Sequence, residues 1–166
     1  MRALPFAIAS ALTLASLSAS LQGQPPAAPI DARSLQLLAQ GKAARAAGNL
    51  DGATDALETA VAVDPRNREA FVTLAQVADA RGLPGKAIRL YREALSLEPN
   101  DVVALRGQGE ALVAKGAVAR AQDNLARIRT LCKSACPAAP QLAAVIAKGP
   151  PVATAQAETV VKPKPE

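Results

Sequence analysis

Residues 86–101 read KAIRLYREALSLEPND. Small residues, Ala87 and Ala94, stand seven apart around the aromatic Tyr91. That pattern fits a helix letting a second helix approach closely at the alanines. Pro99 stops such a helix, because it lacks an N–H and restrains the residue before it. Asn100 then stands where the next helix needs an N-cap. Upstream, Gly82 falls where a preceding helix would end, and Pro84 lies near the first turn of this one.

The same punctuation recurs outward in both directions. Gly48, Gly82 and Gly116 are 34 residues apart, as are Ala53, Ala87 and Ala121. Pro65 and Pro99 keep the period, and its next position is Lys133. Leu37, Phe71 and Leu105 share it, as do Leu57, Tyr91 and Leu125. Five registers agreeing on one spacing mark an internal repeat whose unit is a pair of helices. The spacing predicts helices at about 33–47, 52–63, 68–81, 85–96, 101–115 and 118–131. Asn67 is read as a helix cap like Asn100. A last helix at 139–148 carries Leu142, Val145 and Ile146 on one side and is placed over the open face of the third pair.

These units resemble the tetratricopeptide repeat family. The matching positions are Leu37, Gly41, Gly48, Ala53, Leu57, Ala60 and Pro65 in residues 34–67. In 68–101 they are Phe71, Leu74, Ala75, Gly82, Ala87, Tyr91, Ala94 and Pro99. In 102–135 they are Leu105, Gly109, Leu112, Gly116, Ala121 and Leu125, with Ile128 and Lys133 replacing the small residue and the proline. The resemblance covers about 102 of 166 residues. It implies an all-α fold: an α-α superhelix, or solenoid, of three helical hairpins plus a C-terminal capping helix. The matching residues pack the fold and do not name a ligand.

The resemblance also implies a concave face lined by the first helix of each hairpin. Its lining would be Leu35, Leu38, Lys42 and Arg45, then Glu69, Val72, Gln76 and Asp79, then Val103, Arg106, Glu110 and Val113. This groove would run from basic and apolar to acidic and mixed, suiting an extended or helical peptide with an acidic end. Some family members clamp a peptide's terminal carboxylate with Lys, Asn and Arg. Here Ala39, Thr73 and Gly107 occupy the usual Asn position, so that clamp is not expected.

Outside the repeats, residues 1–20 have the layout of a secretory signal peptide. Arg2 supplies the positive start, Leu4 to Leu17 is uncharged, and Ser18-Ala19-Ser20 offers small residues before a cut at Leu21. The other reading is a retained anchor, but the run is shorter than the ~20 residues a span needs. No later stretch is long and apolar enough to be an integral span once the signal is cleaved. Residues 21–30 form a Pro-rich spacer, 31–148 the repeat domain with its cap helix at 139–148, and 149–166 a Pro-containing tail read as disordered. An exported product points to the bacterial periplasm.

The two cysteines, Cys132 and Cys136, fit an oxidising compartment. A structural disulfide would tie the end of the third hairpin to the cap helix, where the repeat's proline is missing. Closing so short a loop contributes about 2 kcal/mol. The rival is a thiol-redox pair, which lacks C-x-x-C spacing and faces the unfavourable end of a helix dipole. Two thiols without any His leave a four-ligand metal site unfilled.

No catalytic or cofactor-binding constellation emerges. Histidine is absent, and no Ser or Cys stands beside a credible base. Glu58, Asp64, Glu69, Asp79, Glu93, Glu98, Asp101 and Glu110 read as solvated helix faces and ends. Gly107-Gln108-Gly109 lies inside a helix and reads as tight packing, not a phosphate loop. The formal charge of +5 is scattered among acids, with 2% aromatics, so nucleic acid is not the expected partner. The sequence therefore points to a non-enzymatic scaffold that binds another protein of the envelope or a secreted one, without cofactor. The resemblance extends to small envelope proteins of this family that carry a signal peptide and a C-x3-C segment and act as adaptors. Self-association into a homodimer is a further reading, because three repeats are about the minimum for a stable stack.

Overall fold

The computed structural model describes residues 28–132 and 136–151. Seven α-helices occupy the described residues: α1 Ala32–Ala46, α2 Leu50–Val63, α3 Arg68–Ala80, α4 Pro84–Leu97, α5 Val102–Ala114, α6 Val118–Leu131 and α7 Ala138–Lys148. They stack as three hairpins, α1 with α2, α3 with α4 and α5 with α6. α2 packs on α3 and α4 on α5, and α7 closes the stack against both α5 and α6. The expected all-α solenoid of three hairpins and a cap is the observed architecture.

Each hairpin turns in the same way. Gly48, Gly82 and Gly116 have φ of 75°, 69° and 78°, the left-handed region where a side chain is costly. Each glycine N–H reaches a carbonyl three residues back: Arg45 at 3.0 Å, Asp79 at 2.9 Å and Val113 at 2.8 Å. The next N–H reaches five residues back, as Asn49 to Ala44, Leu83 to Ala78 and Ala117 to Leu112. This paired closure of orphan carbonyls is the Schellman motif, used three times.

The starts of the helices differ more. Asn67 caps α3 by accepting from the Ala70 N–H at 3.1 Å. The cap of α5 is Asp101 and not the expected Asn100: Asp101 accepts from Val103 at 2.8 Å and Ala104 at 3.1 Å. Asp101 stands 34 residues after Asn67, so the repeat register locates the cap more accurately than residue preference. α2 begins at Leu50, earlier than expected, because Asn49 accepts from the Gly52 N–H at 2.9 Å. α4 and α6 have no side-chain cap, and α4 begins instead with Pro84, whose missing N–H costs nothing there.

The core is a chain of clusters, each completed by the next hairpin. Leu38, Ala53, Leu57 and Ala60 pack with Ala70, Leu74 and Val77 of α3. Ala75, Ala87, Tyr91 and Ala94 pack with Ala104 and Ala111 of α5. In the last cluster Leu105, Leu125 and Ile128 pack with Ala138 and Leu142 of α7. Ile128, standing where Ala60 and Ala94 stand in the other repeats, is fully buried against the cap. Leu37 and Phe71 are only half-buried, whereas Leu105 at the same register is covered.

Two glycines inside α5 show how tightly these clusters meet. A Cβ at Gly109 would lie 2.7 Å from Leu142 Cδ2, and one at Gly107 would lie 2.7 Å from Tyr91 Cε1. One helix thus admits Tyr91 of the preceding hairpin and Leu142 of the cap. Side chains of Cys132 and Cys136 pack at the edge of the last cluster, with their Cα atoms 5.7 Å apart, within the span of a disulfide.

The hairpins are also joined by polar groups. Ser34, fully buried, donates to the Ala60 carbonyl at 2.8 Å and accepts from Asn67 Nδ2 at 2.8 Å. This links α1, α2 and the start of α3. Asn124 donates to the Leu105 carbonyl at 3.0 Å and to Gln108 at 3.1 Å, joining α5 to α6. Asp64 and Asp101, expected on solvated ends, are buried. Asp64 accepts from the Asp31 N–H at 2.9 Å and pairs with Arg66 at 2.8 Å. Arg66 in turn donates to the carbonyls of Ala28 and Pro29, which fixes the end of the Pro-rich spacer to the stack. The expected signal segment lies outside the described residues. So does the expected tail beyond Pro151.

Candidate functional site

α1, α3 and α5 face one side of the stack and form two adjoining depressions. The first, of about 400 Å³, is walled by Lys42, Arg45 and Ala46 of α1, Arg68, Glu69, Val72, Thr73 and Gln76 of α3, and Val103 of α5. Its floor is apolar: Val72 is buried, and Val103 is 47% exposed. Its rim holds three cations and one carboxylate. Lys42 pairs with Glu69, Arg45 donates to Gln76, and Arg68 pairs with Asp101. These contacts bridge successive hairpins across the groove, so the rim is held by paired groups on different repeats.

The second depression, of about 510 Å³, lies beside Arg45, Leu50, Gln76, Asp79, Ala80, Tyr91, Arg106 and Glu110. Arg106 and Glu110 form an ion pair along α5 at 2.7 Å. Asp79 is half-buried. Loss of hydration pushes its carboxyl up to about 6; the Tyr91 hydroxyl beside it works in the opposite sense, and the nearby Glu110 charge adds to the rise. Burial, with the Asp79 charge beside it, also pushes the Tyr91 hydroxyl above its ordinary range.

Nine of the twelve residues expected in the groove therefore line these depressions: Lys42, Arg45, Glu69, Val72, Gln76, Asp79, Val103, Arg106 and Glu110. Three do not. Leu38 and Val113 are 4% and 1% exposed and belong to the core. Leu35 is exposed but stands outside both depressions. At the registers of Leu38 and Val113 the side chain sits on the boundary between groove and core, and polarity decides the outcome. Arg106 occupies the register of Leu38 and reaches the surface, while an apolar side chain turns inward.

Arg68 and Tyr91 are additions to the expected groove. Arg68 opens α3 and reads in sequence as an ordinary first-turn residue. Tyr91 matches a packing position, and only the glycine at 107 hints that its ring passes close to α5. Among the described residues no group of three or more His, Cys, Asp or Glu could hold a metal ion. Nor is any helix there long and apolar enough to cross a membrane.

Comparison with known proteins agrees with this fold. A tetratricopeptide repeat family model matches residues 38–102 and, in an overlapping second copy, 72–135. No curated protein matches the chain. The first TPR of Spaghetti (RPAP3) bound to the HSP90 peptide SRMEEVD is similar at 20% identity with a TM-score of 0.65, over 70% of this chain and 92% of that one. The Yersinia enterocolitica type III secretion chaperone SycD, in complex with a peptide of the translocator YopD, is similar at 18% identity and a TM-score of 0.65, over 73% and 95%. A Thermobaculum terrenum O-GlcNAc transferase is similar at 26% identity and a TM-score of 0.63, over 69% of this chain but 22% of that protein. With the family model spanning the three hairpins, the chain belongs to the tetratricopeptide repeat family.

Proposed function

We propose that this chain is a non-enzymatic adaptor of the bacterial periplasm that holds an acidic segment of a partner protein along α3. The observation that carries the reading is the first depression. There Lys42, Arg45 and Arg68 surround an apolar floor of Val72 and Val103, with Glu69 the one acid of the lining. An apolar side chain would seat on the valines while a neighbouring carboxylate meets the cations. Peptides held by the similar structures of Spaghetti and SycD support a binding role for such a fold. The acids of SRMEEVD support an acidic occupant. Export rests on the residues 1–20 pattern, and a structural disulfide between Cys132 and Cys136 at the cap fits the same compartment.

Affinity capture from a periplasmic extract tests the reading. The protein is expected to retain a partner that Lys42→Glu/Arg45→Glu loses, with the variant's melting temperature kept. Equal capture by both forms removes the groove from the function. Capture only from cytoplasmic extract removes the periplasm.

A further inference from the structure

We infer that the far end of the groove is a subsite for one basic side chain of the bound segment, about three residues from the acidic one. This rests on the peptide-binding reading above and adds a second, opposite charge to the recognised sequence.

The groove treats its acids unequally. Glu69 has Lys42, Glu110 has Arg106, and Asp101 has Arg68. Among the described residues no Lys or Arg pairs with Asp79, although it is half-buried and its neighbours are charged. Its hydrogen-bonding neighbour is the Tyr91 hydroxyl. A carboxylate kept from water without a cation is costly, and an incoming ammonium or guanidinium offsets that cost. A resident ion pair need not be broken to admit it.

The space beside Asp79 suits such a group. Asp79 and Glu110 also wall a third depression of about 230 Å³, completed by Gly82, Pro84, Ala111 and Ala114, with no basic residue in its lining. Asp79 lies in the last turn of α3, where the carbonyl end of the helix favours positive charge. Arg45 and Arg106 line the second depression together with Asp79, but they are engaged by Gln76 and Glu110. Val72 and Asp79 are seven residues apart on α3, about 10 Å along its axis, which an extended peptide covers in about three residues. Loss of hydration, with the Glu110 charge adding to it, raises the Asp79 carboxyl, and binding a cation would draw it back down.

Fluorescence polarisation with the purified protein tests this. The probes are labelled Ala-Asp-Asp-Ala-Ala-Lys-Ala, its reversed sequence, and both with norleucine for lysine. In one orientation the lysine peptide is expected to bind about fivefold tighter than its norleucine partner near neutral pH. Asp79→Asn, whose fold is checked by its melting curve, should bring the lysine and norleucine peptides to equal affinity. In the unmodified protein the preference should also shrink toward about pH 5, as Asp79 takes a proton. Equal binding of lysine and norleucine peptides overturns the subsite while leaving the groove. A preference that survives both Asp79→Asn and acid overturns it too. Failure of every peptide to bind removes the groove reading and the subsite with it.

Discussion

Gly107 of α5 lies directly under the ring of Tyr91, so close that a methyl group at 107 would overlap the ring and its hydroxyl. Tyr91 is 3% exposed, and its hydroxyl is the neighbour that moderates the Asp79 carboxyl. A glycine in the middle of one helix thus sets the position of a groove residue on the helix before it.

Replacing that glycine should therefore cost stability despite the better helix propensity of alanine. Gly107→Ala is expected to destabilise by about 1–3 kcal/mol, because a buried ring must move. Gly85, in the first turn of α4, offers open space instead: a Cβ there would meet nothing within 4 Å. At that position the same change should be neutral or stabilise by up to about 1 kcal/mol. Urea unfolding of both variants gives the comparison, and equal effects would remove the steric account.

The buried link between Ser34 and Asn67 makes a second prediction. Asn67→Ala removes both the cap on Ala70 and the donor to Ser34 Oγ, at an expected cost of about 2 kcal/mol. Ser34→Ala leaves the Ala60 carbonyl and Asn67 without that partner and should cost about 1–2 kcal/mol. The double variant should lose less than the sum, since both changes break one shared contact. Strict additivity in denaturant unfolding would separate the two residues.

Two aspartates should pull the pH profile of stability in opposite directions. Asp79 rises from an ordinary 3.8 to about 6 in the folded chain. Between those values the folded state binds more protons than the unfolded one, so stability falls as pH rises through that window. Asp79→Asn should therefore raise the melting temperature at neutral pH and change nothing near pH 4. Solvent screening at this half-buried site leaves an effect of about 1 kcal/mol. Asp64 is lowered to about 2, chiefly by its hydrogen bond with Arg66 and then by the Asp31 and Arg66 N–H groups. Its contribution is present above 3.8 and is lost as pH falls from there through about 2. Asp64→Asn should accordingly lower the melting temperature at neutral pH, with the difference closing in strong acid. Calorimetric melts across pH distinguish the two signs.

The hairpins could be read from the residues alone, because a repeated fold repeats its punctuation. Glycine at 48, 82 and 116 is demanded by a left-handed turn, and alanine at 53, 87 and 121 by close helix approach. Such requirements are local or recur at a fixed spacing, so one chain states them three times. The groove registers came from the family resemblance, and nine of those twelve residues line the two depressions. Which way Leu38, Val113 and Arg106 would turn was not legible, since one register borders both core and surface. The burial of Asp64 and the meeting of Tyr91 with Gly107 emerged only once the helices were stacked. They depend on which residues from different repeats come to share one small volume. The unequal pairing of the groove's acids arises in the same way, because a carboxylate keeps or lacks a cation according to neighbours that the stacking of helices supplies.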